Sequence, residues 1–301
     1  AILFVGFPLW WVLGLGDFGF LILSIPMAAD LLRRRRLIVP RAFGAWLLFL
    51  AWVVLAVLTL QVNAPGTVAA ENGSRYLTWF YRLFWYVTVT VVMLYVLNNR
   101  KALPTLRVAR IMGWMFVWIT LGGLAGVLAP SVQFHSLLEL MLPSHIASNG
   151  FVNALIHPSF AQIQFVLGYE SPRPSAPFAY SNTWGVNYAC FLPFFVYGWF
   201  SRASGWRRRV APVVLAIGTV PVIYSLNRGL WVALGVAALF IAIRAALMGK
   251  PGLFTSVLTG GLVIALVLAF SPLGALVTDR LAHPHSNTGR ENLSLLAVTS
   301  V

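Results

Sequence analysis

Residues 210–246 read VAPVVLAIGTVPVIYSLNRGLWVALGVAALFIAIRAA, and their two apolar runs, Val210–Leu226 and Leu230–Ala246, meet at Asn-Arg-Gly. Each run approaches the roughly 20 residues that a helix needs to cross a bilayer. On insertion scales, an arginine inside a membrane span costs roughly 2.5–3.5 kcal/mol unless it meets an anion, an acceptor or water. The stretch therefore predicts two membrane helices whose connecting turn presents Arg228 to a negatively charged group.

The composition extends this pattern to the whole chain. Of the 301 residues, 59% are hydrophobic and 9% are charged, and the mean hydropathy is +0.84, which excludes a soluble globular domain. We expect an all-α fold, a polytopic membrane protein of about eight transmembrane helices. The apolar runs predict these helices near residues 2–29, 42–62, 79–97, 111–129, 179–200, 210–226, 230–247 and 252–271. The first run leaves room for a break within Gly14–Gly19.

The net charge of +14 follows the predicted topology. If the loop that holds Arg33–Arg36 and Arg41 is cytoplasmic, four loops in the same phase carry 15 of the 21 Lys and Arg residues, as the positive-inside rule requires. The basicity therefore reflects the topology of a multi-pass membrane protein in contact with the lipid bilayer, and it argues against a nucleic-acid partner. Six cations are left at the outer face: Arg75, Arg82, Arg173, Arg228, Arg280 and Arg290.

The chain reads as one transmembrane domain, residues 1–301, with two long outer segments at about 130–178 and 272–301. The first outer segment is apolar enough for short surface helices, including one over Phe151–Leu167. Its end, Ser171–Pro177, is rich in proline and predicts a stiff extended stretch.

Metal and acid–base chemistry have few candidate residues. His135, His145 and His157 are spaced ten and twelve residues apart, without the i,i+4 pairing or ligand spacing of a zinc site. Among the seven acidic residues, Asp17 falls inside a predicted span. We therefore expect no metal site and no cofactor.

The outer arginines have a clearer chemistry. A guanidinium group matches two phosphate oxygens at once, and such charge-assisted bonds are about twice as strong as neutral ones. Arg228 and Arg290 together suit a diphosphate, and Asn182 at the entrance of a span suits a helix cap or a hydroxylated ligand. The structural alternative for Arg228 is that it reaches the interface or pairs with a carbonyl at a helix end.

Three motifs in order, 178–185 (FAYSNTWG), 226–231 (LNRGLW) and 285–290 (HSNTGR), resemble the O-antigen ligase/polymerase superfamily. The resemblance covers residues 178–301, and the arginine-rich inner loops are similar to those of its actinobacterial members. It implies a GT-C-like helical bundle in the plasma membrane. Such enzymes move a glycan at the outer face from a polyprenyl-diphosphate-linked donor to a glycan or lipid-linked acceptor, without a metal or cofactor.

By the same resemblance, Arg228 and Arg290 are the catalytic residues that hold the donor diphosphate. The residues expected to bind substrate are Asn182, Asn227, Arg280, Ser286 and Asn287. Asn227 stands where the family usually has serine. The family's pattern also continues beyond the second arginine with further spans and a histidine-bearing stretch. We therefore expect this chain to be a piece of a longer protein, and no catalytic base is assigned.

Two other functions remain open at this point. A transporter or flippase for a lipid-linked or anionic substrate would show broken helices and charges deep within the membrane. A non-catalytic assembly or sensor subunit would keep the helices without the chemistry.

Overall fold

The computed structural model describes most of the chain as helices. The described residues are 2–63, 74–165, 167, 169–202, 204–270, 272–282, 292 and 295. The contacts divide them into two compact units, the first holding the described residues of 1–108, 137–156 and 289–301 and the second those of 109–136 and 157–288. The expectation of a single transmembrane domain stays a prediction.

In chain order, the described elements are α1 (Ile2–Val5), α2 (Phe7–Val12), α3 (Phe18–Leu32), α4 (Phe43–Leu55), α5 (Ser74–Asn98), α6 (Thr105–Leu128), α7 (Leu137–Met141), α8 (Ser144–Ala147), α9 (Gly150–Ile156), β1 (Ala161–Phe165), β2 (Glu170–Pro174), α10 (Ser181–Phe195), α11 (Trp206–Tyr224), α12 (Arg228–Leu247), α13 (Pro251–Ala269) and α14 (Pro272–Ala282). A 3₁₀ turn, Ala56–Thr59, follows α4, and a π-helical turn, Val196–Ser201, follows α10.

Within the described residues, three helices are long and apolar enough to cross a membrane: Arg75–Asn98, Thr105–Leu128 and Arg228–Leu247. Their composition indicates association with a membrane, and it agrees with the predominantly helical fold predicted from the sequence. Helices also occupy the other predicted spans. That all eight cross a bilayer stays a prediction.

The first predicted span, residues 2–29, is interrupted where the sequence leaves room for a break. α2 ends at Val12, and α3 begins at Phe18. Gly14 between them has a φ of 78°, a conformation that glycine adopts without steric cost. The α3 helix then packs along α5, where Phe20 contacts Trp85 with ring centroids 5.5 Å apart.

The outer segment 130–178 corrects one expectation. The helix predicted over Phe151–Leu167 is wrong beyond Ile156, where α9 ends, and residues 161–165 form β1 instead. His157 precedes Pro158, and the residue before a proline is disfavoured in a helix. Residues 161–165 (AQIQF) alternate in polarity as a strand does, and the predominantly helical fold therefore also contains one two-stranded sheet among its described residues.

The two strands form an antiparallel pair in which Gln162 lies opposite Arg173. The end of α6 lies directly against this pair. A Cβ placed on Gly126 would overlap the carbonyl oxygen of Phe160 and the backbone of Pro174. The small residue thus allows the sheet to lie on the helix backbone, a packing device common between membrane helices.

Helix α10 is joined to α6 through a fully buried tryptophan. Trp184 donates its Nε1–H to the carbonyl oxygen of Ile119 at 2.9 Å. Its ring lies 5.2 Å from that of Tyr188, one turn further along α10. A buried indole is well placed when its N–H finds an acceptor, and in this case the bond connects two helices. Helix α6 therefore carries both the sheet and the start of α10.

Candidate anion site

The turn between α11 and α12 has a fixed backbone. Leu226 is buried and has a φ of 50°, in the left-handed region that non-glycine residues rarely adopt. Asn227 is extended and caps α12, because its Oδ1 accepts from the backbone N–H of Leu230 at 3.1 Å. The hydroxyl oxygen of Ser225 accepts from the backbone N–H of Asn227 at 3.3 Å. These bonds place Arg228 in the first turn of α12.

The position of Arg228 concentrates positive charge. It is the first residue of α12 and is half-buried. The N-terminus of a helix carries about half a positive charge from the aligned peptide dipoles, which favours anions there. An arginine at this end adds to that charge instead of offsetting it.

Arg173 of β2 reaches the same turn and is 3% exposed. Its Nε donates to the carbonyl oxygen of Ser225 at 2.6 Å, and its Nη2 donates to Oδ1 of Asn182 at 3.2 Å. Its Nη1 donates to Oε1 of Gln164 on β1. One guanidinium therefore holds together the sheet, the start of α10 and the α11–α12 turn.

Arg280 of α14 binds the next carbonyl of the turn. It is 5% exposed, and its Nε donates to the carbonyl oxygen of Leu226 at 3.1 Å. The successive carbonyls of Ser225 and Leu226 thus each accept from a different buried arginine.

The positive charges of these arginines repel one another, Arg173 with Arg280 and Arg280 with Arg228. Burial, and then the charge of Arg280, lowers the pKa of Arg173 to about 10. Burial, and then the charge of Arg228, lowers the pKa of Arg280. A pKa of about 10 leaves Arg173 charged at pH 7, so the arrangement holds its positive charge at an electrostatic cost. An anion in contact with these groups would remove part of that cost.

The start of α10 packs closely against the α11–α12 turn. A Cβ on Gly185 would overlap Nδ2 of Asn227, so the absence of a side chain there allows the close approach. The Ser181 hydroxyl donates to the carbonyl oxygen of Ser225 at 3.3 Å, and the Ser181 backbone N–H donates to Oε1 of Gln162 at 3.2 Å. Asn182 beside it remains exposed at the surface.

Four of the site residues expected from the sequence therefore meet at one turn: Asn182, Asn227, Arg228 and Arg280. The other three, Arg290, Ser286 and Asn287, lie outside the residues that the structure describes. Asn227 acts in the structure as the cap of α12, a backbone role that the sequence did not assign to it.

Sequence reasoning missed Arg173 as a member of the site. The signal was present, because Arg173 is among the six outer cations that the topology leaves unexplained. Its proline-rich surroundings indicated only an extended stretch. Gln164 and Ser225, which accept from its guanidinium, are common polar residues without a motif.

Comparisons of this chain with protein-family models, with curated proteins and with solved structures find no match.

Proposed function

We propose that this chain is a membrane glycosyltransferase that polymerises or ligates a glycan from a polyprenyl-diphosphate-linked donor. In this proposal the protein is multi-pass in the plasma membrane, and its site faces the extracytoplasmic side. The observation that carries the proposal is the meeting of Arg173, Arg228 and Arg280 at the α11–α12 turn, with the pKa of both buried arginines lowered. The resemblance of the motifs around Asn182, Arg228 and Arg290 supports it.

Transfer requires a cation beside the leaving group. The acceptor hydroxyl oxygen forms a bond to the anomeric carbon and gives up its proton to water, while the bond from that carbon to the diphosphate oxygen breaks. The electron pair of the broken bond stays on the diphosphate, so negative charge grows there. Cations held in place before the reaction stabilise this charge without rearranging. Arg228, with Arg280 beside it and Arg290 from the tail, would provide that stabilisation.

Arg173 acts in this proposal through its neighbours. Its Nε and both of its Nη atoms donate to protein oxygens, so it holds the turn and Asn182 in place. It is therefore a positioning residue, and its charge adds to the field at the turn. Asn182 is exposed beside it and in this proposal would contact a sugar hydroxyl.

A transporter or flippase is the second candidate, and the break between α2 and α3 favours it. Discontinuous helices of this kind form substrate sites in many transporters. Asp17 immediately precedes α3 at the break. The buried arginines, however, lie in the other compact unit of the chain.

The test compares wild type with Arg228→Ala in proteoliposomes that contain lipid-linked glycan extracted from the same cells. We expect glycan transfer and release of free lipid diphosphate to fall together by about 100-fold or more, the size of the effect seen when a transition-state charge stabiliser is removed. Arg82→Ala is the matched control, because Arg82 is exposed in the other unit and makes the same change of charge.

Binding is measured separately with inorganic diphosphate, as the rise it causes in the thermal midpoint in detergent. Normal glycan transfer by a folded Arg228→Ala variant would contradict the assignment of Arg228 to the site. Movement of the lipid-linked glycan across the bilayer by wild type, without transfer, would favour the transporter.

A further inference from the structure

A second group of cations surrounds three tryptophans near the starts of α6 and α11. Trp199 lies at its centre, with the ring of Trp114 at 4.9 Å and that of Trp206 at 5.2 Å, both edge to face. Trp199 donates its Nε1–H to the carbonyl oxygen of Arg110 at 3.0 Å. We call Trp114, Trp199 and Trp206 the tryptophan hub.

Arginines lie on and around this hub. The Arg207 guanidinium carbon is 5.1 Å from the ring centroid of Trp206 and 5.6 Å from that of Trp199. Arg110 donates from Nη2 to the carbonyl oxygen of Arg202 at 3.2 Å. Residues 201–209 contain four arginines and no acidic residue. The positive charge at the hub is therefore not offset by carboxylates from its own segment.

Two arginines beside the hub have hydrogen-bond donors without an acceptor in the described chain. The Nε–H groups of Arg110 and Arg207 are buried and donate to no atom of the described chain. Leaving a buried donor unsatisfied is unfavourable, and more so for a charged group. Helix α11 also begins at the hub after Gly205, which supplies no side-chain cap for its first N–H groups. All of these donors suit an oxyanion.

The hub is separate from the anion site at the α11–α12 turn. It lies at the first residue of α11, whereas the anion site follows the last residue of the same helix. At 1.5 Å per residue, the 19 residues of α11 rise about 28 Å, close to the thickness of the hydrocarbon core. The two sites thus lie at opposite ends of α11, and the positive-inside rule assigns the hub to the cytoplasmic face.

We propose that the tryptophan hub, with Arg110 and Arg207, binds the phosphate of an anionic phospholipid of the inner leaflet. Tryptophan rings favour the headgroup level of a bilayer, and basic pockets between helices bind anionic headgroups there. Two exposed apolar side chains, Phe200 next to Trp199 and Val213 about two turns beyond Trp206 on α11, provide a surface for acyl chains. Free phosphate has no acyl chains that could contact that surface. The proposal does not depend on the glycosyltransferase reaction.

The test uses the delipidated protein in detergent micelles and counts bound lipid by native mass spectrometry. The probes are phosphatidylglycerol, phosphatidylcholine with the same acyl chains, and glycerophosphoglycerol, which has the same headgroup without chains. We expect wild type to retain one phosphatidylglycerol in preference to phosphatidylcholine. Arg207→Gln should weaken that binding about fivefold, the effect of ~1 kcal/mol for one arginine at an anionic headgroup.

Arg209→Gln is the matched control, because Arg209 is exposed two residues further along the same helix and carries the same charge. It should change the affinity less than about twofold, since a separate exposed charge is largely screened. If Arg207→Gln lowers the thermal midpoint in lipid-free micelles, Arg207→Lys replaces it. Lysine keeps the charge and the stem over the tryptophans but lacks the Nε–H, and it should weaken binding about threefold.

Three results would overturn the proposal. Equal weakening by the substitutions at Arg207 and Arg209 would mean a diffuse attraction to the membrane. Equal retention of the two phospholipids would mean that no headgroup is recognised. Binding of glycerophosphoglycerol as tightly as phosphatidylglycerol would mean a phosphate site that does not use the lipid chains.

Discussion

At the scale of single residues, Arg173 joins three parts of the second unit. It donates to Ser225, Gln164 and Asn182, which lie in the turn, in β1 and in α10. The planar guanidinium group directs its N–H donors at three separate acceptors. The ammonium group of a lysine is a single nitrogen, so it cannot reach all three. The difference between these two cations therefore tests the geometry of the site while the charge stays constant.

We expect Arg173→Lys to lower the free energy of unfolding by about 2 kcal/mol, because it removes hydrogen bonds made by a buried charged donor. Denaturation in mixed micelles measures this change. Arg82→Lys, the same replacement at an exposed position, should have no measurable effect. A stability of Arg173→Lys within about 0.5 kcal/mol of wild type would contradict a holding role for Arg173, since surface substitutions give changes of that size.

At the scale of elements, the cap of α12 fixes the position of Arg228 in the first turn of the helix. Asn227→Ala removes the acceptor of the Leu230 N–H and should cost about 1 kcal/mol of stability. Asn227→Ser keeps a capping oxygen and should stay close to wild type. Thermal midpoints of both variants in one detergent measure the difference. If both variants lose the same stability, the amide of Asn227 matters for another reason than capping.

The contact between α6 and the two-stranded sheet is the second prediction at this scale. Gly126→Ala forces a Cβ against the backbone of Phe160 and Pro174 and should cost about 1–3 kcal/mol. Because Pro174 is the neighbour of Arg173, the variant should also bind inorganic diphosphate more weakly. Gly235→Ala is the control, since nothing lies within 4 Å of a Cβ there, and it should stabilise α12 by about 0.5–1 kcal/mol. A neutral Gly126→Ala would contradict the close packing.

At the scale of the whole molecule, the distribution of cations predicts the orientation in the membrane. In a Cys190→Ser background, Thr183→Cys near the anion site should react with a membrane-impermeant maleimide added to intact cells. Arg208→Cys should react only after permeabilisation, because its loop belongs to the cytoplasmic set. Both positions are exposed in the structure, so access depends on the membrane. Labelling of both in intact cells would contradict the assignment of opposite faces.

The sequence alone determined the features that depend on local composition. The apolar runs predicted the predominantly helical fold, and Gly14–Gly19 left room for the break between α2 and α3. Arg228 stood out because placing a cation between two membrane-spanning runs is energetically unfavourable, whatever the rest of the fold. Hydropathy and helix-breaking residues act over a few positions, and for this reason one sequence is enough to read them.

Contacts between distant residues come from the folding of the whole chain and could not be read from local patterns. Arg173 and Ser225 are 52 positions apart, Trp199 and Arg110 are 89 apart, and the rings of His135 and His157 lie 5.3 Å from each other despite their spacing. The strand pair was missed because its alternation covers only five residues in each strand. Such contacts depend on close packing, as at Gly126 and Gly185, and packing is a property of surfaces that a linear pattern does not contain.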